Sequence, residues 1–161
     1  MLDLFLPRQI DNTYRGQKAA LWLFAVLLLM KTAMSLNSIF NGRSVATRAD
    51  GIPVDTFTPA GAQAVVFLFA IWGLGHLVIS LLGVGVLIRY RSLVPFMFTL
   101  LLLEHLARRL IAYLLPIVRT GTPPAVYVNL GFTTLMFVGL ALSLWRRSQV
   151  QSSPSPNGVL G

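Results

Sequence analysis

Apolar residues in this chain come in four long blocks separated by short polar stretches. Each block reaches the roughly 20 residues a helix needs to cross a bilayer's hydrocarbon core. The pattern predicts four membrane-spanning helices over about residues 18–40, 63–88, 93–115 and 125–145. Start signals precede the last three. Thr58-Pro59 and Thr122-Pro123 are cap-then-proline pairs ahead of spans two and four, and Ser92 stands where it would cap span three, with Pro95 in the tolerant first turn. The link Arg89 to Ser92 is so short that spans two and three are expected to form an antiparallel hairpin.

The expected architecture is an all-α integral membrane protein, four transmembrane helices in a bundle over residues 18–148. A cytoplasmic or interfacial segment, 1–17, precedes it, with apolar Met1 to Leu6 suited to the interface or to a plain flexible terminus. A Ser-, Pro- and Gly-rich tail, 149–161, follows and is expected to be disordered. Asp3, Asp11 and Lys31 argue for an uncleaved anchor over a signal peptide in the first span. Between spans one and two lies a long loop, 41–62, whose Asp50-Gly51-Ile52-Pro53 is a turn signal.

Composition narrows the class. Of the 161 residues, 55% are hydrophobic and 11% charged, against about 25% charged in a soluble domain. A soluble enzyme, a secreted disulfide scaffold and a disordered regulator are thereby excluded. The chain has no cysteine, so disulfides, thiolate nucleophiles and cysteine metal sites are excluded too. The formal net charge is +8, but the basic residues are scattered at the ends of the apolar blocks with no basic run longer than two. That distribution serves membrane orientation and anionic headgroups rather than nucleic acid. Arg8, Arg15, Lys18, Arg89, Arg91, Arg146 and Arg147 fall on the side of the termini; only Arg43, Arg48 and Arg119 fall on the other. Both termini are therefore expected in the cytoplasm, with a bacterial inner membrane as the expected setting.

Ionisable residues inside a span are costly and face the bundle interior or water. They are Lys31 in span one, His76 in span two, and Glu104, His105, Arg108 and Arg109 in span three, joined by Asn129 in span four. At 1.5 Å per residue, Lys31 stands about 20 Å above the terminus-side end, His76 and His105 about 18 Å, and Glu104 about 16 Å. Arg108, Arg109 and Asn129 fall at about 22 to 24 Å, so all share one layer. Each span has one polar or small-residue stripe: Lys31, Thr32, Ser35 and Ser38; Gly73, His76, Ser80 and Gly83; Glu104 to Arg109; Asn129, Thr133 and Ser143.

Two kinds of reading attach to this layer. In the structural one, Glu104 pairs with Arg108 at i,i+4 or with Lys31, the arginines reach toward the outer headgroups, and His76 hydrogen-bonds to Ser80 or across the bundle. In the functional one, the surplus of cations holds an anionic lipid headgroup or small anion, or His76 and His105 ligate a b-type haem. A small transporter built on Glu104 is a third possibility. No catalytic constellation is complete, which points away from an enzyme. The leading expectation is an accessory or scaffold subunit with no cofactor. It would pack against a larger membrane partner or its own copies through small-residue stripes that include Gly139 and Ser143.

Overall fold

The computed structural model describes residues 10–145, and these are helical with no strand. The expectations for Met1 to Leu6 and for the tail from Gln149, and Arg8, Arg146 and Arg147 of the charge count, lie outside the described residues. Four long helices dominate: α1 (Lys18–Phe40), α3 (Pro59–Arg89), α4 (Val94–Leu114) and α5 (Pro124–Leu144), with a single turn, α2 (Gly42–Ser44), after α1. Helices α1, α3 and α5 are long and apolar enough to cross a membrane. Helix α4 equals α5 at 21 residues but carries Glu104, Arg108 and Arg109.

Helix ends follow local chemistry. The Thr58 hydroxyl accepts from the Gly61 amide at 3.2 Å and Pro59 occupies the first turn, so α3 starts four residues ahead of the expected Gln63. Its 31 residues make it roughly 46 Å long, more than a hydrocarbon core requires. The expected Ser92 cap does not form. The Ser92 hydroxyl is taken by the Asp11 backbone, donating to its carbonyl at 2.8 Å and accepting from its amide at 3.1 Å, while a turn of 3₁₀ helix at Arg91–Leu93 leads into α4. Thr122 likewise does not cap; α5 opens on Pro124 without a side-chain cap.

The Asp11–Ser92 bonds belong to a set that gathers the stretch before α1, the end of α5 and the α3–α4 link at one end of the bundle. Gln17 donates its amide to the Leu142 carbonyl at 3.1 Å, and the Tyr14 hydroxyl bonds Ser143 Oγ at 3.2 Å. At the opposite end the two loops meet, Thr120 donating through amide and hydroxyl to the Gly51 carbonyl at 2.8 and 3.1 Å. Gly51 sits at φ +69, a conformation that a side chain would strain. The stretch read from the sequence as a loop is largely helical. α2 runs into a wide turn at Val45–Ala49, a 3₁₀ turn follows at Val54–Thr56, and Ala46 and Val54 are fully buried.

Helix α1 is central. It buries Ala20, Phe24, Leu27, Leu28, Lys31, Ser35 and Ser38, a stripe at spacings of three and four. The half nearest the termini is dry. Phe24, Leu27 and Leu28 pack with Val94, Phe98 and Leu101 of α4 and Met136 of α5, the Phe24 and Phe98 ring centroids standing 5.0 Å apart. Along its other side α1 runs closely against α3. Helix α4 packs chiefly on α5, so the α3–α4 hairpin is joined at its link more than along its length.

Glycines set how closely these helices approach. A Cβ on Gly73 would stand 2.8 Å from the Ser35 carbonyl oxygen and 2.9 Å from Ser38 Cβ, whereas one on Gly75 would meet nothing within 4 Å. Gly73→Ala is therefore expected to cost about 1–3 kcal/mol because backbone stands in the way. Gly75→Ala should be neutral or gain up to about 1 kcal/mol from helix propensity. Unfolding both variants in mixed detergent micelles checks this; equal responses would mean that α1 and α3 do not touch at Gly73.

Candidate functional site

Above the dry half, the polar stripes of α1, α3 and α4 converge on the Glu104 carboxylate. Lys31 Nζ donates to Oε2 at 3.2 Å from α1, and His76 Nε2 lies 2.9 Å from Oε1 from α3. Arg108 Nε stands 2.8 Å from Oε1, one turn along α4. The last contact is an ion pair by distance whose N–H is not aligned on the carboxylate, since Arg108 Nε is buried without a hydrogen bond. Lys31 is 6% exposed. A lysine so deep is tolerated only with a counter-charge in contact, which Glu104 supplies from 73 residues away.

Hydrogen-bond logic fixes protons at both histidines. His76 Nδ1 lies 2.9 Å from the Trp72 carbonyl, which only accepts, so Nδ1 bears hydrogen. The 2.9 Å contact from Nε2 to Glu104 then needs one proton more, carried by the ring or by the carboxyl. His76 and Glu104 thus share a proton. His105 differs. Its Nε2 donates to the Asn129 carbonyl at 3.2 Å and its Nδ1 accepts from Arg108 Nη2 at 3.1 Å, which makes it neutral. All four ring nitrogens have protein partners, so a haem iron would have to break one of these bonds at each ring.

Arg108 is the hinge of the cluster. Besides Glu104 and His105 it faces Trp72, its guanidinium carbon 5.1 Å from the ring centroid, and Trp72 meets the His76 ring edge-on at 4.7 Å. Trp72 was not singled out from the sequence, although it lies one turn before His76 and so on the same face. Arg108 turns inward rather than toward headgroups. Arg109 is exposed and outside the cluster, and Asn129 enters it through its carbonyl and also lines the cavity. The Ser80 hydroxyl is buried without a hydrogen bond; of the two partners expected for His76, Ser80 or a group across the bundle, it takes the second, Glu104.

Two cavities meet at Arg108. The inner one, about 130 Å³, is lined by Lys31, Ser38, His76 and Gly73 among others. The outer one, about 410 Å³, lies under the two loops and is lined by Arg109, Arg119, Leu68, Phe69, Ile111 and Leu115 among others. Asp50, Trp72, His105, Arg108 and Asn129 line both and form the partition. Burial raises the Asp50 carboxyl above the usual range, with Arg119 and Arg108 partly offsetting it. The outer cavity is thus an open groove lined by three arginines and one aspartate, with Leu68, Ile111 and Leu115 among its exposed apolar walls. Gly139 and Ser143, expected on a docking face, are buried within the bundle, where Gly139 receives the Phe98 ring and Ser143 bonds Tyr14. Comparison of the chain with family models, with curated proteins and with solved structures finds no match in any of the three.

Proposed function

We propose that this is a four-span membrane protein whose outer cavity binds the anionic headgroup of a lipid-like amphiphile. One observation carries the reading: Arg108, Arg109 and Arg119 line a single cavity of about 410 Å³ whose remaining walls are largely apolar. A cavity of that size suits a small ligand, and guanidinium groups match phosphate geometry. The apolar walls favour an acylated anion over a free one.

The membrane setting supports this. Helix α4 counts as the fourth span because it matches α5 in length, packs on it, and turns Glu104 and Arg108 toward the cluster. The bias of Lys and Arg toward the termini supports cytoplasmic ends, with the cavity opening on the far side of a bacterial inner membrane in this reading. Below the cluster the dry packing of Phe24, Leu27, Phe98 and Met136 closes the bundle, which favours binding from one side over transport through it. A subunit docked on a partner through Gly139 and Ser143 is the lesser reading, since both residues are occupied internally.

The test is binding of dioctanoyl phosphatidylglycerol, dioctanoyl phosphatidylcholine and inorganic phosphate to the detergent-solubilised protein, followed by native mass spectrometry. Phosphatidylglycerol should bind tightest. Arg109→Ala with Arg119→Ala, both exposed, should weaken it by about tenfold or more, roughly 1.4 kcal/mol, without loss of fold. Phosphatidylglycerol binding that the double variant leaves intact would overturn the reading. Equal affinity for inorganic phosphate would make it a free-anion site.

A further inference from the structure

Arg108 has two claims upon it. It lines the outer cavity, where an anion would sit, and it stands 2.8 Å from Glu104 Oε1 through an N–H that is not aligned. Glu104 in turn shares a proton with His76 across the 2.9 Å contact. From these placements we infer that anion binding in the outer cavity is coupled to uptake of a proton by the His76–Glu104 pair, with Arg108 the element exchanged between them. The inference rests on the anion-binding reading above.

The coupling is electrostatic. A bound anion draws the Arg108 guanidinium toward the outer cavity, and the Glu104 carboxylate loses one of its cations. The pair then holds its proton more firmly, and the proton replaces the charge that left. Taken in the other direction, a protonated pair releases Arg108 to the anion, so affinity is highest when the pair is protonated and falls as the proton dissociates. Linkage requires the two effects to be equal in free energy.

Other charged groups also face the pair. Lys31 approaches from α1 at 3.2 Å from Oε2 and stays with Glu104 in either state. His105, next in sequence, is neutral while its Nδ1 accepts from Arg108 Nη2, and that nitrogen is freed to take up a proton when Arg108 is drawn away. From the first loop Asp50 lines both cavities and is, with His105, the other titrating candidate. From α5 only the uncharged Asn129 arrives.

Affinity for dioctanoyl phosphatidylglycerol, a phosphodiester whose charge stays fixed, measured between about pH 5.5 and 8.5 tests the coupling. The wild-type chain should bind about tenfold tighter at the lower pH. Glu104→Gln should be tight at every pH, because Arg108 no longer has a competing carboxylate. His76→Gln should be weak at every pH, because Glu104 keeps its charge and its hold on Arg108. The two variants flatten the profile in opposite directions, which simple damage to the fold does not do, and either serves if the other fails to fold. Asp50→Asn and His105→Gln should each keep the slope.

A flat wild-type profile, with binding intact, overturns the coupling alone. A slope that survives in both the Glu104 and His76 variants, or that vanishes only in Asp50→Asn or His105→Gln, also overturns it. Absence of phosphatidylglycerol binding at any pH overturns the anion-binding reading and the coupling together.

Discussion

Glu104→Ala is expected to destabilise the bundle by about 3 kcal/mol, the lower edge of what breaking a buried ion pair costs. The lower edge applies because 22% of the Glu104 side chain remains exposed. The loss comes less from the missing carboxylate than from what it leaves behind. Lys31 keeps a charge at 6% exposure with no acid in contact, and His76 Nε2 and Arg108 Nε lose the oxygen they face. Lys31→Met combined with Glu104→Leu should recover much of the loss, since apolar residues of similar volume commonly replace such a pair without penalty. Denaturant titration of the single and double variants in mild detergent measures both. A double variant as unstable as Glu104→Ala would show that Lys31 is not the stranded partner.

Gly139→Leu should cost about 3 kcal/mol, the upper end for overpacking a filled core. The Phe98 ring lies over the Gly139 Cα and packs on Phe24 at a centroid distance of 5.0 Å, so it has no free direction in which to yield. Phe98→Ala in the same chain should restore part of the stability by making room. Thermal unfolding reads the cost, and size-exclusion with light scattering supplies a second readout. If Gly139→Leu kept its stability but changed the number of chains per particle, Gly139 would face another protein rather than Phe98.

Much of the architecture is legible because helix periodicity and apolar length are local properties. The stripe Lys31, Ser35, Ser38 and the stripe Gly73, Ser80, Gly83 follow from spacing alone, and both are buried. What spacing does not specify is which helix a stripe meets. The polar stripe of α3 turns to α1 along most of its length, so His76 reaches Glu104 near the point where three helices converge instead of Ser80 on its own helix. Depth estimates bring Lys31, His76 and Glu104 to one level, but they carry no information on lateral position, and Arg109, equal in height to Arg108, lies outside the cluster. Ser92 has the chemistry of a cap, and a contact 81 residues away claims its hydroxyl. Asp50 sits in a segment whose buried Ala46 and Val54 bring it over the cavity, and nothing periodic announces that.

The 73 residues between Lys31 and Glu104 also bear on how the chain reaches its membrane. During synthesis the first helix emerges with an ammonium near its middle while its counter-ion is still untranslated. At ribosomal rates of about 5–20 residues per second that interval lasts roughly 4 to 15 s. A lone lysine at the centre of an inserting helix carries a penalty of about 2.5–3.5 kcal/mol. The apolar remainder of the helix offsets that penalty, but Lys31 goes without its counter-charge until the third long helix delivers the carboxylate. Assembly of this small protein is for that reason a late event, completed only when helices far apart in translation order meet.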